Sequence, residues 1–412
     1  MKFKDTHLFS SAANTYKQYG YYTDTIPDTK EYYEFWDEER RKCVDGYTVD
    51  KVTITGYHYF YLNYCPIDRA VDAYLPDGTK IAQRERTFPA FYDGDYDYFS
   101  VIAKCRKENK HLSVLKGRRK GYSYKSGSMM TRNYFHVRNS KNFVFAEQKE
   151  YIGDGILSKA WDFISFIDDN TAWTQPRLID KEMHKQSGYK KRVNGADVAL
   201  GMKSQIIGVS LKDNPDKVRG KAGELIFFEE AGSFNGLLKA WEVAMPTMRQ
   251  GNKTLGTMIA FGTGGTEGVG FESLEELFYH PDAYDCLGFE NEWDAGATGS
   301  MCGYFVPIYQ NLDGFIDDNG NSDTGEAIAF EESQREKKRN ANDPKALDQY
   351  VAEHPFSPQE ATLQVTANLF DVNSLKEQYN KVKANNLENE GTSGILYYTK
   401  EKTVGFRPSP DV

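Results

Sequence analysis

Short apolar runs alternate with amphipathic stretches from about residue 101 onward. The pattern predicts strands at 111–116, 142–146, 224–228, 254–261 and 304–308, helices at 125–137, 151–166 and 237–248, and a hairpin at 196–211. Strands that alternate with helices favour βαβ units and a parallel sheet. The chain is therefore predicted to have an α/β fold, with a mostly parallel sheet flanked by helices.

The two ends of the chain have different patterns. Residues 1–100 are rich in tyrosine and acidic residues, with prolines that interrupt short elements. Past residue 313, a turn-rich segment precedes charged helices that we predict at 325–339, 344–353 and 372–383. We therefore expect an N-terminal layer (1–100), an α/β core (101–312) and a small α-rich subdomain (313–412).

Composition excludes several classes of protein. No run of about 18 apolar residues exists that could span a bilayer, and the N-terminus lacks the apolar segment of a secretory signal. The five cysteines show neither a CxxC pair nor a Cys/His spacing typical of zinc sites. We expect a soluble intracellular protein whose cysteines are buried or free thiols.

Charge is distributed unevenly along the chain. The whole sequence carries 51 basic and 60 acidic residues, a formal charge of −9. Residues 104–141, however, contain 12 Lys and Arg against the single acid Glu108, a net of +11. A strongly basic segment on an acidic protein indicates a site for a polyanion, either nucleotide phosphates or nucleic acid.

A glycine-rich loop lies inside this basic segment, between a predicted strand and a predicted helix. The sequence 115–126 reads LKGRRKGYSYKS, and such a loop can hold phosphate oxygens with backbone N–H groups. It departs from the strict GxxxxGK[ST] pattern, so two registers are open. In the favoured one Lys116 supplies the charge and Ser123 holds Mg²⁺; in the other, Lys125 and Ser126 do so.

Two acids follow a buried strand about a hundred residues later. Glu229 and Glu230 come directly after the apolar run 225–228. One carboxylate at such a strand end can hold Mg²⁺ while the other deprotonates an attacking water. We assign Glu229 to the metal and Glu230 to the base, and Thr263, after the next buried strand, to sensing the γ-phosphate.

Five segments of the chain belong together in one further comparison: 56–67 (GYHYFYLNYCPI), 116–123 (KGRRKGYS), Arg219-Gly220 ahead of 224–232 (ELIFFEEAG), Gly262-Thr263, and 354–361 (HPFSPQEA). Together they resemble the large terminase subunit of tailed bacteriophages, the ATPase that moves DNA into the capsid. The loop is similar to a variant of that family in which the lysine stands at the strand end. Glu229 replaces the aspartate that the family usually has. The resemblance extends over about residues 56–360, nearly the whole ATPase portion.

The resemblance implies a P-loop NTPase fold of the ASCE/RecA-like class, with ATP and Mg²⁺ bound. It places one run of residues against the nucleotide phosphates, namely Lys116, Gly117, Arg118, Arg119, Lys120, Gly121, Tyr122 and Ser123. Arg86 and Phe91 stand where the family contacts adenine. Arg219 stands where the family has an arginine that acts on a neighbouring subunit's nucleotide, and Arg118 and Arg119 are the candidates within the same subunit.

The resemblance also implies partners and a location. It implies a ring of about five copies, because such motors complete their sites with a neighbour's arginine, and a monomer in dilute solution. The implied partners are double-stranded DNA, the portal protein and the small terminase subunit, in the host cytoplasm at a procapsid and without a membrane. The family usually continues into a nuclease domain, which we do not expect within these 412 residues; we therefore expect no DNA cleavage by them.

Basic residues outside the loop are candidates for DNA contact. The stretch 181–192 (KEMHKQSGYKKR) is polar and looks mobile, which suits phosphate contacts without sequence readout. A surface loop that binds nothing explains the same composition equally well.

Two other functions are compatible with these features. A superfamily 2 helicase-like ATPase would need a second RecA-like domain, for which residues 314–412 are too few and too helical. A DNA-binding scaffold with an inactive nucleotide site would explain why lysine is missing from its usual position in the loop.

Overall fold

The computed structural model describes residues 2–362 apart from 213, 252, 265–268, 295, 298, 342 and 344, together with 378, 381–382, 394–398 and 404–408. Its α-helices are α1 (Ser11–Tyr19), α2 (Lys30–Asp45), α3 (Gly56–Tyr64), α4 (Asp93–Glu108), α5 (Tyr122–His136), α6 (Lys149–Ile152), α7 (Ser158–Asn170), α8 (Leu237–Ala244), α9 (Val269–Tyr279), α10 (Thr324–Arg339), α11 (Ala346–Glu353) and α12 (Pro358–Ala361). A π-helical turn, Gly153–Leu157, joins α6 to α7.

The strands are β1 (Tyr47–Val49), β2 (Val52–Ile54), β3 (Ile67–Tyr74), β4 (Lys80–Thr87), β5 (Leu112–Lys116), β6 (Lys141–Ala146), β7 (Arg177–Lys181), β8 (His184–Ser187), β9 (Tyr189–Val193), β10 (Ala196–Leu200), β11 (Gln205–Ser210), β12 (Leu225–Phe228), β13 (Arg249–Gln250), β14 (Lys253–Thr254), β15 (Thr257–Thr263), β16 (Phe289–Glu290), β17 (Met301–Cys302), β18 (Tyr304–Val306), β19 (Gly394–Tyr398) and β20 (Val404–Pro408). Short 3-10 turns cover Thr6–Ser10, Pro215–Val218, Ala231–Ser233, Met245–Met248 and Pro281–Tyr284.

One sheet dominates the described residues. Its eight strands run in the order β18-β5-β15-β12-β6-β11-β8-β7. The neighbours from β18 to β11 are parallel, and β8 and β7 are antiparallel additions at one edge. The predicted α/β fold with a mostly parallel sheet is thus confirmed.

Helices cover both faces of this sheet. Side chains alternate across a strand, so Leu225 and Phe227 of β12 pack with the core that contains α3, α4, α5 and α7, while Ile226 and Phe228 pack with α8 and α9. All four are fully buried. Burial on both faces explains why the strands of the α/β core are continuous apolar runs rather than alternating ones.

The predicted hairpin at 196–211 is wrong. β10 pairs with the preceding β9, whereas β11 joins the central sheet parallel to β6. The physical reason is burial: Ile206 of β11 enters one core and Val209 packs against the other, and a local hairpin with β10 would offer neither contact.

Residues 181–192 are also more ordered than the polar composition suggested. Instead of a mobile loop, they include the end of β7, all of β8 and most of β9. The side chains of β9, among them Lys190, Lys191 and Arg192, are exposed. Whether this strand touches DNA stays a prediction.

The segment after residue 313 combines helices with a hairpin. α10 and α11 form near the predicted positions, whereas the short helix α12 was not predicted, and β19 and β20 pair antiparallel. The helix predicted at 372–383 lies outside the described residues except for 378 and 381–382.

Two expectations from composition can be compared directly with the structure. All five cysteines are buried and free, as predicted. Among the described residues, no helix has the length and apolar character that crossing a membrane would require.

Candidate active site

The glycine-rich loop connects a fully buried strand to the N-terminus of a helix. β5 ends at Lys116, and α5 begins at Tyr122 after Gly121, which has a φ of +67°. That backbone angle favours glycine. The loop therefore lies at the carboxyl edge of the sheet, next to a helix N-terminus whose free N–H groups attract anions.

Lys116 is the loop cation placed beside the two acids. It is 6% exposed. Burial lowers its pKa to about 8, although the nearby Glu230 and Glu229 carboxylates favour its charged form. Its ammonium group could therefore bind a phosphate in place of its interaction with these two carboxylates.

Two other cations of the loop, Arg118 and Lys120, already have partners inside the protein. Arg118 donates to the Glu353 carboxylate over 2.7 Å, and Lys120 donates to the carbonyl oxygens of Ile308 and Gln310. Burial lowers the pKa of Lys120 to about 7. Arg119 has a φ of +58° and lies at the turn of the loop.

Lys125 is bound elsewhere. Its ammonium group donates to Asp95 over 2.6 Å in a buried ion pair and lies 4.6 Å from the centre of the Tyr122 ring. Of the two registers that the sequence left open, this geometry favours the one in which Lys116 faces the phosphates.

The acidic strand ends beside the loop. β12 and β5 are separated by a single strand, β15, so their carboxyl ends lie at the same edge of the sheet. Glu229 is 3% exposed, and its Oε1 accepts a hydrogen bond of 2.7 Å from the Ser123 hydroxyl. Two residues that are 106 positions apart in sequence are thereby joined at the start of α5.

Burial has the largest effect on the pKa of Glu229. It raises the pKa of this carboxyl to about 8, while the hydrogen bonds from Ser123 and Ile156 act in the opposite direction. Glu230, the next residue, adopts the left-handed region with a φ of +47°, which is uncommon for residues other than glycine. Its side chain is partly exposed.

The donor set suits a magnesium ion that arrives with a nucleotide. No group of three or more His, Cys, Asp or Glu side chains able to hold a metal occurs among the described residues. Mg²⁺ commonly uses one or two carboxylates together with substrate phosphates and water. Ser123 and Glu229 fit that role, with the remaining ligands supplied by the substrate.

The sequence did not predict the hydrogen-bond donor to the second carboxyl oxygen of Glu229. Its Oε2 accepts a hydrogen bond of 3.0 Å from the backbone N–H of Ile156, in the π-helical turn. The region had been predicted as one continuous helix over 151–166. The available signal was Gly153 and Gly155, two glycines within a helical pattern.

Thr263 ends the strand that lies between β5 and β12. It stands opposite Lys116 in the register of β15 and β5. The next residue, Gly264, packs so closely on α11 and α12 that a Cβ would lie 2.5 Å from the carbonyl oxygen of Ala352. The strand end thus connects the site to the helices after residue 313; Gly265 and Thr266 lie outside the described residues.

A cavity of about 260 Å³ adjoins the loop. Its lining includes Arg119, Lys120 and Gly121 on one side and Ala90, Tyr92 and Arg69 on the other. The structure does not bring the predicted Phe91 to this cavity: Phe91 is 4% exposed and stacks between Phe9 and His58 in the core. Arg86, on β4, lies 3.6 Å from Asp162 and does not line the cavity either.

Arg219 lies on the surface. Its side chain is 74% exposed and its nearest partner is Asp216, at 3.3 Å. It follows the short 3-10 turn Pro215–Val218. It is therefore accessible to another molecule.

The fold is α/β, with a mostly parallel sheet that carries the candidate site at its carboxyl edge. The glycine-rich loop follows β5, the acids follow β12, and β15 is inserted between the two strands. No protein-family model and no curated protein sequence matches the chain.

The solved structures to which the chain is similar include phage large terminases. The large terminase ATPase domain of Thermus phage P74-26 is 14% identical, with a TM-score of 0.39 over 63% of this chain and 98% of that one. The HK97 bacteriophage large terminase is 11% identical, with a TM-score of 0.38 over 68% of this chain and 51% of its own. A large terminase from a thermophilic bacteriophage, in complex with ADP, is 10% identical, with a TM-score of 0.33 over 61% of this chain and 50% of its own. The chain thus spans about half the length of the HK97 protein and of the ADP-bound protein.

Proposed function

We propose that this protein is an Mg²⁺-dependent ATPase and that it serves as the motor that translocates double-stranded DNA during viral genome packaging. The observation that carries the ATPase proposal is the 2.7 Å hydrogen bond between Ser123 and Glu229. It joins the phosphate loop to the acidic strand, with Lys116 buried beside both acids.

The loop and its lysine would hold the triphosphate. Backbone N–H groups at the start of a helix attract anions, and Lys116 would add a charge-assisted hydrogen bond to a phosphate oxygen. Ser123 and Glu229 would hold Mg²⁺, which neutralises charge that develops on the phosphate oxygens.

Glu230 is the base of this proposal. Both oxygens of Glu229 already accept hydrogen bonds, from Ser123 and Ile156, so that carboxylate is committed to position. The partly exposed Glu230 is free to orient a water and accept its proton. The water oxygen attacks the γ-phosphorus as the bond to the β–γ bridging oxygen breaks.

The cavity beside the loop is the proposed place for the nucleoside. It combines an apolar wall, which includes Ala90, with the phenol of Tyr92, which accepts a 3.0 Å hydrogen bond from Arg69. Mixed apolar and polar lining of this kind is typical of small-molecule sites. The neighbours of Phe91, rather than Phe91, would meet the base.

The remaining parts of the proposal concern motion and partners. Contacts of Arg118 with Glu353, and of Gly264 with α11 and α12, connect the site to the helices after residue 313. The exposed cations of β9 suit DNA phosphates. A ring of copies on a portal protein, with a small terminase subunit and an arginine supplied in trans by Arg219, completes the proposed motor.

The first test is the variant Glu230→Gln. We expect ATP hydrolysis to fall by about 10² to 10⁴-fold, because the amide keeps the shape and loses the basicity, while nucleotide binding stays near the wild-type value. Glu224→Gln is the matched control, since Glu224 immediately precedes β12 at its opposite end and pairs with Arg106. Near-normal turnover in Glu230→Gln would remove Glu230 from the mechanism.

The second test separates the motor from the other two functions. Wild-type protein is mixed with ATP, Mg²⁺ and either linear duplex DNA or a forked duplex. A packaging motor hydrolyses ATP without unwinding the fork, whereas a helicase-like enzyme separates its strands. A scaffold binds DNA without ATP turnover, and that result would refute the ATPase proposal.

A further inference from the structure

A break in a helix holds one oxygen of the proposed metal ligand. α6 and α7 are joined by the π-helical turn Gly153–Leu157, in which Gly155 departs from helical backbone angles. The N–H of the following residue, Ile156, donates to Oε2 of Glu229 over 3.0 Å. Because the other oxygen accepts from Ser123, each oxygen of this carboxylate has its own donor.

The close approach depends on the absence of a side chain at position 155. A Cβ built on Gly155 would lie only 2.6 Å from the carboxyl carbon of Glu229, and the three nearest atoms all belong to that carboxylate. By contrast, a Cβ on Gly153, in the same turn, would meet nothing within 4 Å. The two glycines are therefore not equivalent: of these two positions, only at 155 does the contact with Glu229 require a glycine.

The turn is itself fixed by packing. Ile156 and Leu157 are fully buried. α7 approaches α5 closely, as Gly127 of α5 shows: a Cβ there would lie 3.2 Å from the backbone nitrogen of Ala160. The N–H of Ile156 is thus held on a rigid element that packs against the same helix that carries Ser123.

From these contacts we infer that Gly155 and the backbone of Ile156 form a positioning element for the magnesium ligand Glu229. The element holds Oε2 and leaves Oε1 directed toward Ser123, where the cation would bind. This inference rests on the proposed function for the role of the metal. The contact itself can be tested without metal or nucleotide. When a group that hydrogen-bonds to a metal ligand and orients it is altered, metal affinity commonly changes about 10 to 100-fold.

The first experiment is a double-mutant cycle on thermal unfolding of the full chain, without nucleotide. We expect Gly155→Ala to lower the unfolding midpoint by several degrees and Gly153→Ala to change it little. In a Glu229→Ala background the carboxylate is absent, so most of the loss caused by Gly155→Ala should disappear. An equal loss in both backgrounds would show that Gly155 acts through the backbone alone and would overturn the inference.

The second experiment measures binding of a fluorescent ATP analogue in EDTA and over a Mg²⁺ titration. We expect Gly155→Ala to keep its metal-free affinity within about twofold and to require about 10-fold more Mg²⁺, while Gly153→Ala follows wild type. If wild type itself shows no Mg²⁺-dependent binding, the proposed function fails. If wild type shows it and Gly155→Ala matches wild type, the positioning role fails. Should Gly155→Ala not fold, recovery of folding in the Glu229→Ala background supports the contact, and no recovery refutes it.

Discussion

Three ionisable side chains lie at the carboxyl ends of β5 and β12, two strands separated by β15: Lys116, Glu229 and Glu230. Burial lowers the pKa of Lys116 to about 8 and raises the pKa of Glu229 to about 8. Burial disfavours the charged form of each group. At the scale of the residue, the site is therefore close to a change of protonation near neutral pH.

The choice between the two lysines gives a prediction for binding and stability. Lys116→Ala should weaken ATP-analogue binding about 10 to 100-fold, as expected for the loss of a hydrogen bond to a charged group. Lys125→Ala should instead destabilise the fold by about 3–5 kcal/mol, because it leaves Asp95 buried and unpaired. Binding at fixed Mg²⁺ and urea unfolding measure the two effects.

The control for Lys125 removes the whole ion pair. Lys125→Met combined with Asp95→Asn replaces both charges, so stability should largely return and binding should persist. If this double variant loses nucleotide while Lys116→Ala retains it, Lys125 is the phosphate-binding lysine and the favoured register is wrong.

Glu229 predicts how stability depends on pH. Its pKa is about 8 in the folded protein, above the ordinary value of 4.5, so between these values the folded state binds more protons than the unfolded state. Stability must then fall as pH rises through this window, by up to about 1.4 kcal/mol per pH unit from this group. Urea unfolding between pH 5 and pH 8 measures the slope.

The Glu229→Gln variant isolates that contribution. Glutamine does not titrate, so the fall should be smaller in Glu229→Gln than in wild type. Equal slopes in wild type and Glu229→Gln would mean that the carboxyl is ionised throughout.

At the scale of the element, the end of β15 connects the site to the helices that follow residue 313. Gly264 allows β15 to approach the carbonyl oxygens of Ala352 and Ala361. Arg118, in the glycine-rich loop, donates to Glu353 at the end of α11. The loop and the segment that follows β15 thus both contact α11.

The Gly264 contact predicts a stability effect. Gly264→Ala should lower the free energy of unfolding by about 1–3 kcal/mol, the usual cost of overpacking, because the neighbouring atoms are backbone carbonyls. Gly325→Ala is the matched control: Gly325 lies in the first turn of α10, where a Cβ meets only an Asp323 oxygen at 3.7 Å. Denaturant unfolding compares them, and equal stability of both variants would contradict the close contact of β15 with α11 and α12.

At the scale of the whole molecule, one exposed arginine suggests that the proposed site is completed by another copy. Arg219 is 74% exposed and weakly paired with Asp216. An arginine finger is worth about 10³ to 10⁵-fold in turnover. We therefore expect dilute, monomeric protein to hydrolyse ATP slowly and assembly on a portal to raise the rate.

Mixing two inactive variants tests this expectation. Under assembly conditions, Glu230→Gln and Arg219→Ala subunits should together recover part of the wild-type ATPase rate, since a subunit with an intact Glu230 can use the arginine of its neighbour. Each variant alone is the control. If the mixture stays inactive while wild type assembles and turns over, Arg219 acts within its own subunit or only maintains the turn after β11.

The class of fold and the groups of the candidate site were predictable from the sequence. Apolar runs buried on both faces of a parallel sheet are readable from the chain, and so are a glycine-rich loop and two adjacent acids after a strand. In these features the physical cause is local: the side-chain period, the turn residues and the order of the elements are all contiguous in sequence.

Tertiary structure decided which of these groups meet and which do not. Lys125 pairs with Asp95, Phe91 enters the core, β11 leaves β10 for the central sheet, and the N–H of Ile156 reaches Glu229 across 73 positions of sequence. Each outcome depends on burial that only the assembled sheet and helices provide. The partners of Lys125 and Gly155 could not be read from the sequence, because Asp95 and Glu229 reach them only in the folded chain.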